Sequence, residues 1–493
     1  MHMKLLLSIP PLRRTLIFIG LFTLCTPLIH AQNEEVNRWT LQQCIQYALD
    51  HNIQIQQAGL SLEESEIDRS DALGNYLPGV NFQANNSWNS GLTQNITTGI
   101  LEQQTTRNLS LNATANVPIF QGLRNLKEWQ RAKLTKLANQ YSLKQMQDNI
   151  LLNVTNAYLN VLVNKERLEV LKEQSALTLQ ELERTRILIE EGQSPAGDSL
   201  DIKATYAQER QQIVNAQNDI KINLINLAQI LQITDYQSFD IADAQYDVPI
   251  ETILIRTPQE IIQHAKENRY EIKVAEQDLK IAEKDIEIAK SQLYPTLDGF
   301  VNFNTRESGA RRALQGIVDP DNPTRIIGQI EGTGENVVTD NYLVEEIGPS
   351  PFFKQLSRNK GWSYGLRLSI PVLNGFSARN SVKRSQINAK RNAYQLEQAK
   401  LDLESNVYQA YVDAQGAAEA YQAAQVVADS KEKAFEYTQA RYDVGHITSF
   451  EFSQAKFDLA NAQSDLVNAK FDYIFKLKVL ELFFGIAPED ITI

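Results

Sequence analysis

A change of hydrophobic period inside one short stretch constrains this chain more than any other feature. Trp362, Tyr364, Leu366, Leu368 and Ile370 alternate with Ser363, Gly365, Arg367 and Ser369, the period-two mark of a strand with one apolar face. Pro371 stops that strand, and after Val372-Leu373-Asn374-Gly375 a helical pattern runs for about 65 residues. The same junction occurs earlier, where Leu109, Leu111, Ala113, Ala115 and Val117 alternate with Ser110, Asn112, Thr114 and Asn116 ahead of Pro118 and Gly122. A β-segment that feeds directly into a rod, twice, is the first sign of a duplicated chain.

The halves can be aligned. Asn52 matches Asn268 (268 − 52 = 216), Pro78 matches Pro295 (295 − 78 = 217), Pro118 matches Pro371 and Gly192 matches Gly445 (371 − 118 = 445 − 192 = 253). The jump of about 36 residues places one insertion in the second half, at about 307–360, whose Gly, Pro, Asn and charge predict a long exposed loop. Each half then reads short helix, strand, strand, very long helix, turn, short helix. Thr40 and Thr257 are the expected N-caps, with Pro258 suited to a first turn. The first helices should end near Asn75 and Gln292, and strands should follow at about 80–88, 106–117, 297–305 and 361–370. Phe300 falls on the polar side of the third strand.

Helix length is informative. A run from Gly122 to Glu191 spans roughly 100 Å at 1.5 Å per residue, and the helices before the strands and after the turn span roughly 50 Å each. Two short helices end to end equal one long one. Ala389, Ala393, Leu396, Leu403, Val407, Ala410, Ala414, Ala417 and Tyr421 keep a three-four rhythm with Lys400 the one polar exception, as do Phe452, Ala455, Leu459, Ala462, Leu466, Ala469, Tyr473 and Leu480 with Lys476 the exception. Such seams pack helices side by side, and alanines permit close approach.

The N-terminus carries Lys4, Arg13 and Arg14 beside an apolar run to Ile29 and a small residue, Ala31, which reads as a signal peptide over residues 1–31. Cys44 is then the one cysteine of the mature chain, a small buried residue of the first helix. Beyond the signal no apolar run approaches the roughly 20 residues a membrane helix needs, so membrane contact must come from strands or the surface. With 43% hydrophobic residues and a net charge of −12 the chain reads as an acidic folded protein, not a nucleic-acid binder. The chain has no His pair at metal spacing, no phosphate loop and no nucleophile elbow, so neither an enzyme nor a cofactor is expected.

Four strands with an apolar face cannot sit alone in a bilayer, because open edges leave backbone groups unpaired. A membrane barrel needs about eight strands or more, so a barrel built from this chain has to be oligomeric. Trp88, Trp362 and Tyr364 lie where interfacial anchors belong.

These features together resemble the outer-membrane efflux protein family, the TolC-like export ducts. The order of elements carries the resemblance, as does the segment Ala440-Arg441-Tyr442-Asp443-Val444-Gly445 through Thr448, Phe450, Glu451, Ser453, Gln454 and Ala455. The resemblance implies a mainly α fold with a small β part: long antiparallel coiled-coil helices forming an α-barrel, and four strands per chain in a trimeric twelve-stranded β-barrel. It further implies a homotrimer in the outer membrane of a Gram-negative bacterium, reaching into the periplasm. Its partners would be outer-membrane lipid, a periplasmic adaptor and an inner-membrane pump of RND or ABC type. The domains expected are residues 32–240 and 257–486 as repeats, 241–256 as an equatorial connector and 487–493 as a tail.

Pro78, Pro118, Pro295 and Pro371 would mark the joint between barrel and tunnel, and the turns at Gly192 and Gly445 would form the periplasmic tip. Asp198, Asp201 and Glu451 are candidate carboxylate rings at a constriction there, which would attract cations. Capping of the returning helices is the competing role. By resemblance, Glu451 and Gln454 stand at gate positions, Tyr442 and Asp198 belong to a closing hydrogen-bond link, and Ile447 replaces the link's arginine. Two alternatives carry no duct: a periplasmic coiled-coil adaptor without a pore, and a surface receptor built on the insertion.

Overall fold

The computed structural model describes residues 38–94, 100–193, 195–243, 253–310, 312–314, 316–343 and 345–485. The expected signal peptide, the middle of the connector and the C-terminal tail lie outside the described residues. The first half runs α1 (Leu41–His51), α2 (Ile53–Gly74), β1 (Gly79–Gln94), β2 (Leu101–Gln121), α3 (Arg124–Glu190) and α4 (Ala196–Leu231). The second half runs α5 (Pro258–Asn268), α6 (Tyr270–Ser291) and β3 (Thr296–Ser308), then an excursion of β4 (Arg312–Leu314), β5 (Thr324–Gln329), β6 (Asn336–Asp340), β7 (Glu345–Ile347) and α7 (Phe352–Arg358). It ends with β8 (Gly361–Ser369), α8 (Ser377–Asp443) and α9 (Ser449–Phe484).

The duplication is strict. Elements α1, α2 and the start of β1 recur at an offset of 217 (258 − 41 = 270 − 53 = 296 − 79), and α3 and α4 recur at 253 (377 − 124 = 449 − 196). This corrects the match of Asn52 to Asn268, because the partner of Asn52 is Arg269. Both residues take an extended ψ, 126° and 134°, and each splits what the sequence predicts as one helix of about 35 residues. Thr40 and Thr257 cap α1 and α5 as expected, each in a capping box, with Gln43 and Glu260.

Joints between sheet and rods rest on backbone conformation. Gly122 and Leu123 have φ of 61° and 67°, and Gly375 and Phe376 have 60° and 64°. Two successive left-handed residues reverse the chain as in a type I′ turn, and they turn each strand into its helix. Pro371 does end β8. Pro118 does not end β2: the strand continues to Gln121, with a register shift between Pro118 and Phe120 that accommodates the missing N–H. Pro78 and Pro295 immediately precede β1 and β3.

The main sheet is antiparallel in the order β1-β2-β3-β8. Its register aligns Val80, Ala115, Val301 and Tyr364 in one row and Phe82, Ala113, Phe303 and Trp362 in the next. One face is therefore apolar. The other carries Asn81, Gln83, Asn112, Thr114, Asn302, Asn304 and Arg367. Phe300 lies on that polar face as the sequence implies, over the space left by Gly365 and under the Arg367 guanidinium at 5.4 Å.

The insertion is not the expected open loop. The β4-β7 and β5-β6 ladders and α7 give it structure, and Gln355, 3% exposed, clamps α7 to the Ser308 backbone on β3.

Two cores hold the rods. Leu151, Val154, Tyr158 and Leu162 of α3 pack with Cys44, Leu227, Leu231 and Ile241, while Leu403, Val407 and Ala414 of α8 pack with Ile261, Ile272, Tyr473 and Leu477. The connector's described ends are shared between them, Ile241 in the first and Ile253 in the second. No helix among the described residues is long and apolar enough to cross a membrane.

Candidate functional site

The hairpins α3-α4 and α8-α9 end in matching turns. Gly192 has φ 75° and Gly445 has φ 76°, conformations that L side chains rarely adopt, so glycine at both positions follows from the bend itself. The tip candidates are related by the same repeat, Asp198 to Glu451 and Asp201 to Gln454, since 451 − 198 = 454 − 201 = 253.

Their settings differ. Glu451 is the third residue of α9, and it closes a capping box in which the Thr448 N–H donates to Oε2 at 3.0 Å. Those bonds hold its carboxyl below the usual range. The capping role expected of Glu451 is therefore present. Asp198 sits half-buried in the first turn of α4, whose N-cap, Pro195, offers no side-chain bond. Asp201 is exposed, and Gln454 donates to Asp458 at 2.8 Å, which in turn meets Lys431 at 2.8 Å.

Tyr442 is held by groups other than the expected link. Its ring stacks on Phe452 at 4.5 Å and 10°, and the Arg184 guanidinium lies 4.9 Å above it. Burial first, and the neighbouring Glu181 carboxylate next, push the phenol up; Asp198 adds to that shift. No hydrogen bond joins Tyr442 to Asp198 among the described residues, which corrects the link expected from the resemblance. Ile447 packs into the apolar cluster of Phe435, Phe452 and Leu459. An arginine is present at the tip all the same, from the other hairpin: Arg184 on α3 pairs with the Asp443 carboxylate and donates to the Asp443 carbonyl at 2.9 Å.

Sequence reasoning missed a buried charge cluster behind the tip. Lys456, 2% exposed, lies 3.6 Å from Glu181 and 3.7 Å from Glu209 and donates to Thr178 Oγ1. Desolvation pushes the Glu181 carboxyl up, and Lys456 pulls against it. The cluster joins α9 to both helices of the first hairpin. Its only signal in the sequence is a lysine inside the α9 pattern, which ordinarily marks a solvated face.

Comparison with known proteins agrees with this architecture. The family model described as outer membrane efflux protein matches residues 44–231 and 261–482. The chain is 24% identical to outer membrane protein TolC of Vibrio cholerae over 341 residues, 68% of this chain and 67% of that protein. Its fold superposes on the structure of CusC with a TM-score of 0.71 at 16% identity, covering 91% of this chain and 92% of that one. On VceC of Vibrio cholerae the TM-score is 0.69 at 14% identity, covering 90% and 96%. The two matched blocks begin in the opening helix of each half and end in its last, and with them the chain belongs to the outer membrane efflux protein family.

Proposed function

We propose that three copies of this chain close edge to edge, β8 of one against β1 of the next, into a twelve-stranded barrel continued by a tunnel of the long helices. The family makes the chain an outer-membrane export channel. The finer reading is that it receives cargo from a periplasmic adaptor and an inner-membrane pump of RND or ABC type and adds no energy of its own.

One observation carries the barrel. The sheet's outer strands are each paired on a single side among the described residues, and its apolar face is open, with Phe82 at 69% and Trp362 at 69% exposure. In water such a continuous face is a liability; in lipid it is the required surface, and closure satisfies the free edges. A soluble adaptor leaves both unexplained. Native mass spectrometry of detergent-purified protein should give a trimer, and planar bilayers should show discrete conductance steps. A monomer that makes no pores overturns the reading.

At the tip, three-fold repetition would turn Asp198 and Glu451 into carboxylate rings. Glu451→Gln keeps a side chain able to close the capping box and removes only the charge. It should lower cation preference in the bilayer recording while leaving the melting temperature unchanged. Unchanged selectivity would leave Glu451 as a cap alone.

A further inference from the structure

The insertion carries a surface that neither the duct nor the family explains. Helix α7 lies on the outer, apolar face of the sheet: the Thr305 hydroxyl donates to the Leu356 carbonyl at 2.7 Å, and Thr305 shares a row with Leu111 and Ala84. Arg107, in the row of Trp88, reaches Glu307 at 2.7 Å and covers the Phe352 ring at 5.5 Å. The face of α7 turned to the sheet is thus Phe352, Gln355 and Leu356. The face turned away carries Phe353, which is 81% exposed, with Lys354, Ser357 and Arg358, and Lys360 follows.

Height along the wall places this face. The Phe303 and Trp362 rings, 4.7 Å apart and tilted by 51°, form the aromatic row directly below α7. Thr305 and Glu307 stand two and four residues further along β3, about 7 and 14 Å along the strand. With the usual tilt of membrane strands this is roughly 5 to 10 Å above the aromatic row, the depth of the polar headgroup layer. We propose that α7 is an interfacial anchor that seats Phe353 at the acyl boundary of the outer leaflet and sets Lys354, Arg358 and Lys360 against the phosphates of an anionic, phosphate-bearing glycolipid.

Charge complementarity selects this occupant over a second copy of the chain. Lys354, Arg358 and Lys360 form no ion pair among the described residues, in a chain of net charge −12. In the barrel proposed above, the neighbouring strand would be another β1, and Gly79–Gln94 contains no Asp or Glu to receive them. The surface continues the apolar wall directly, since Lys360 precedes β8 and its Trp362.

The inference rests on the barrel reading, so the test separates the two. Cys25 lies in the expected signal peptide and is replaced in a Cys25→Ser background; Cys44 is buried and its thiol pushed up to about 12, so a nitroxide reagent reacts only at an introduced cysteine. Phe353→Cys and, as an aqueous control on the β5-β6 turn, Glu331→Cys are labelled and reconstituted in phosphatidylcholine vesicles with and without lipid A, a diphosphorylated glycolipid. At 353 the nitroxide should collide with dissolved oxygen and be shielded from a water-soluble nickel chelate; at 331 the reverse holds. Lipid A affinity should fall about fivefold for each cation neutralised in Lys354→Gln, Arg358→Gln and Lys360→Gln, with single-channel conductance unchanged. A label at 353 as open to nickel as that at 331, a label shielded from both probes as in a contact between copies, or unchanged lipid A affinity in the triple variant would each overturn the anchor. Absence of conductance in the parent protein would instead overturn the barrel.

Discussion

The two halves of the chain share a backbone and differ in what their side chains are asked to hold. Every bend recurs at its offset: the extended residues Asn52 and Arg269, the left-handed pairs at Gly122 and Gly375, and the tip glycines 192 and 445. The glycines are kept at the joints and the tips, but the extended residues differ and so do their partners. Asn52 accepts from the Gln54 N–H and donates to the Ile230 carbonyl, whereas Arg269 reaches across to the buried Asp148 at 3.1 Å. Lys203 on α4 is exposed, and its counterpart on α9, Lys456 (456 − 203 = 253), is almost fully buried. The reason is position: α9 packs on α3 as well as on α8, so it has a second face to bury and a second set of partners to satisfy. Duplication conserves geometry, and the contact between the copies sets the chemistry.

The largest effect should therefore separate matched lysines. Lys456→Met leaves Glu181 and Glu209 buried without their cation and should cost about 3–5 kcal/mol, read from denaturant melts in detergent. Lys203→Met should leave stability unchanged. Equal losses at the two positions would break the asymmetry.

Next come the matched glycines at the joint. Either Gly122→Ala or Gly375→Ala places a side chain in the left-handed region, at about 1–2 kcal/mol. A Cβ at Gly122 would also stand 2.7 Å from the Ser291 carbonyl oxygen and 2.9 Å from Tyr294 Cβ, while Gly375 has open space. Gly122→Ala should thus cost a further 1–3 kcal/mol or so, as overpacking does. Comparable melts for the two variants would show that the first joint relaxes.

The buried cluster also predicts a pH response. Burial raises the Glu181 carboxyl in the folded state above its usual value, so the folded chain binds more protons than the unfolded one as pH climbs from about 4.5. Stability from this group is present below that value and is lost as pH rises through the folded pKa. Glu181→Gln should flatten that part of the profile. An unaltered slope would assign it elsewhere.

Much of this was legible in the sequence, for identifiable reasons. Strand alternation and heptad rhythm report which face is covered, so the sheet, the rods and the seams through Val407 and Leu459 follow from them, and the duplication follows from proline and glycine spacing. The breaks at Asn52 and Arg269 were hidden because one extended residue without Gly or Pro leaves the hydrophobic period on either side intact. The folded insertion was hidden because its strands, three to six residues long, are too short to show alternation, and its anchor is a glutamine bonded to backbone. Lys456 was hidden because its two carboxylates lie on α3 and α4, far away in the chain; composition cannot pair them. At the tip, the resemblance assigned Tyr442 a partner, Asp198, that the structure does not bond to it.

The smallest effect concerns that tip. Arg184 ties the first hairpin to the second turn through Asp443 and the Tyr442 ring, and its repeat partner, Tyr437 (437 − 184 = 253), is 75% exposed. The Arg184 and Asp443 side chains are 38% and 56% exposed, so salt screens the bridge and little stability depends on it. Its leverage would be on the opening of the tip, where only weak contacts need to part. Arg184→Gln should raise single-channel conductance relative to the parent at low salt, and the ratio should approach one as salt is increased; Tyr437→Ala should leave the ratio at one throughout. A ratio for Arg184→Gln that stays constant with salt would mean that the stacking on Tyr442, not the charge, holds the hairpins together, and Arg184→Lys, which keeps the charge but loses the planar stack, would then behave like the glutamine.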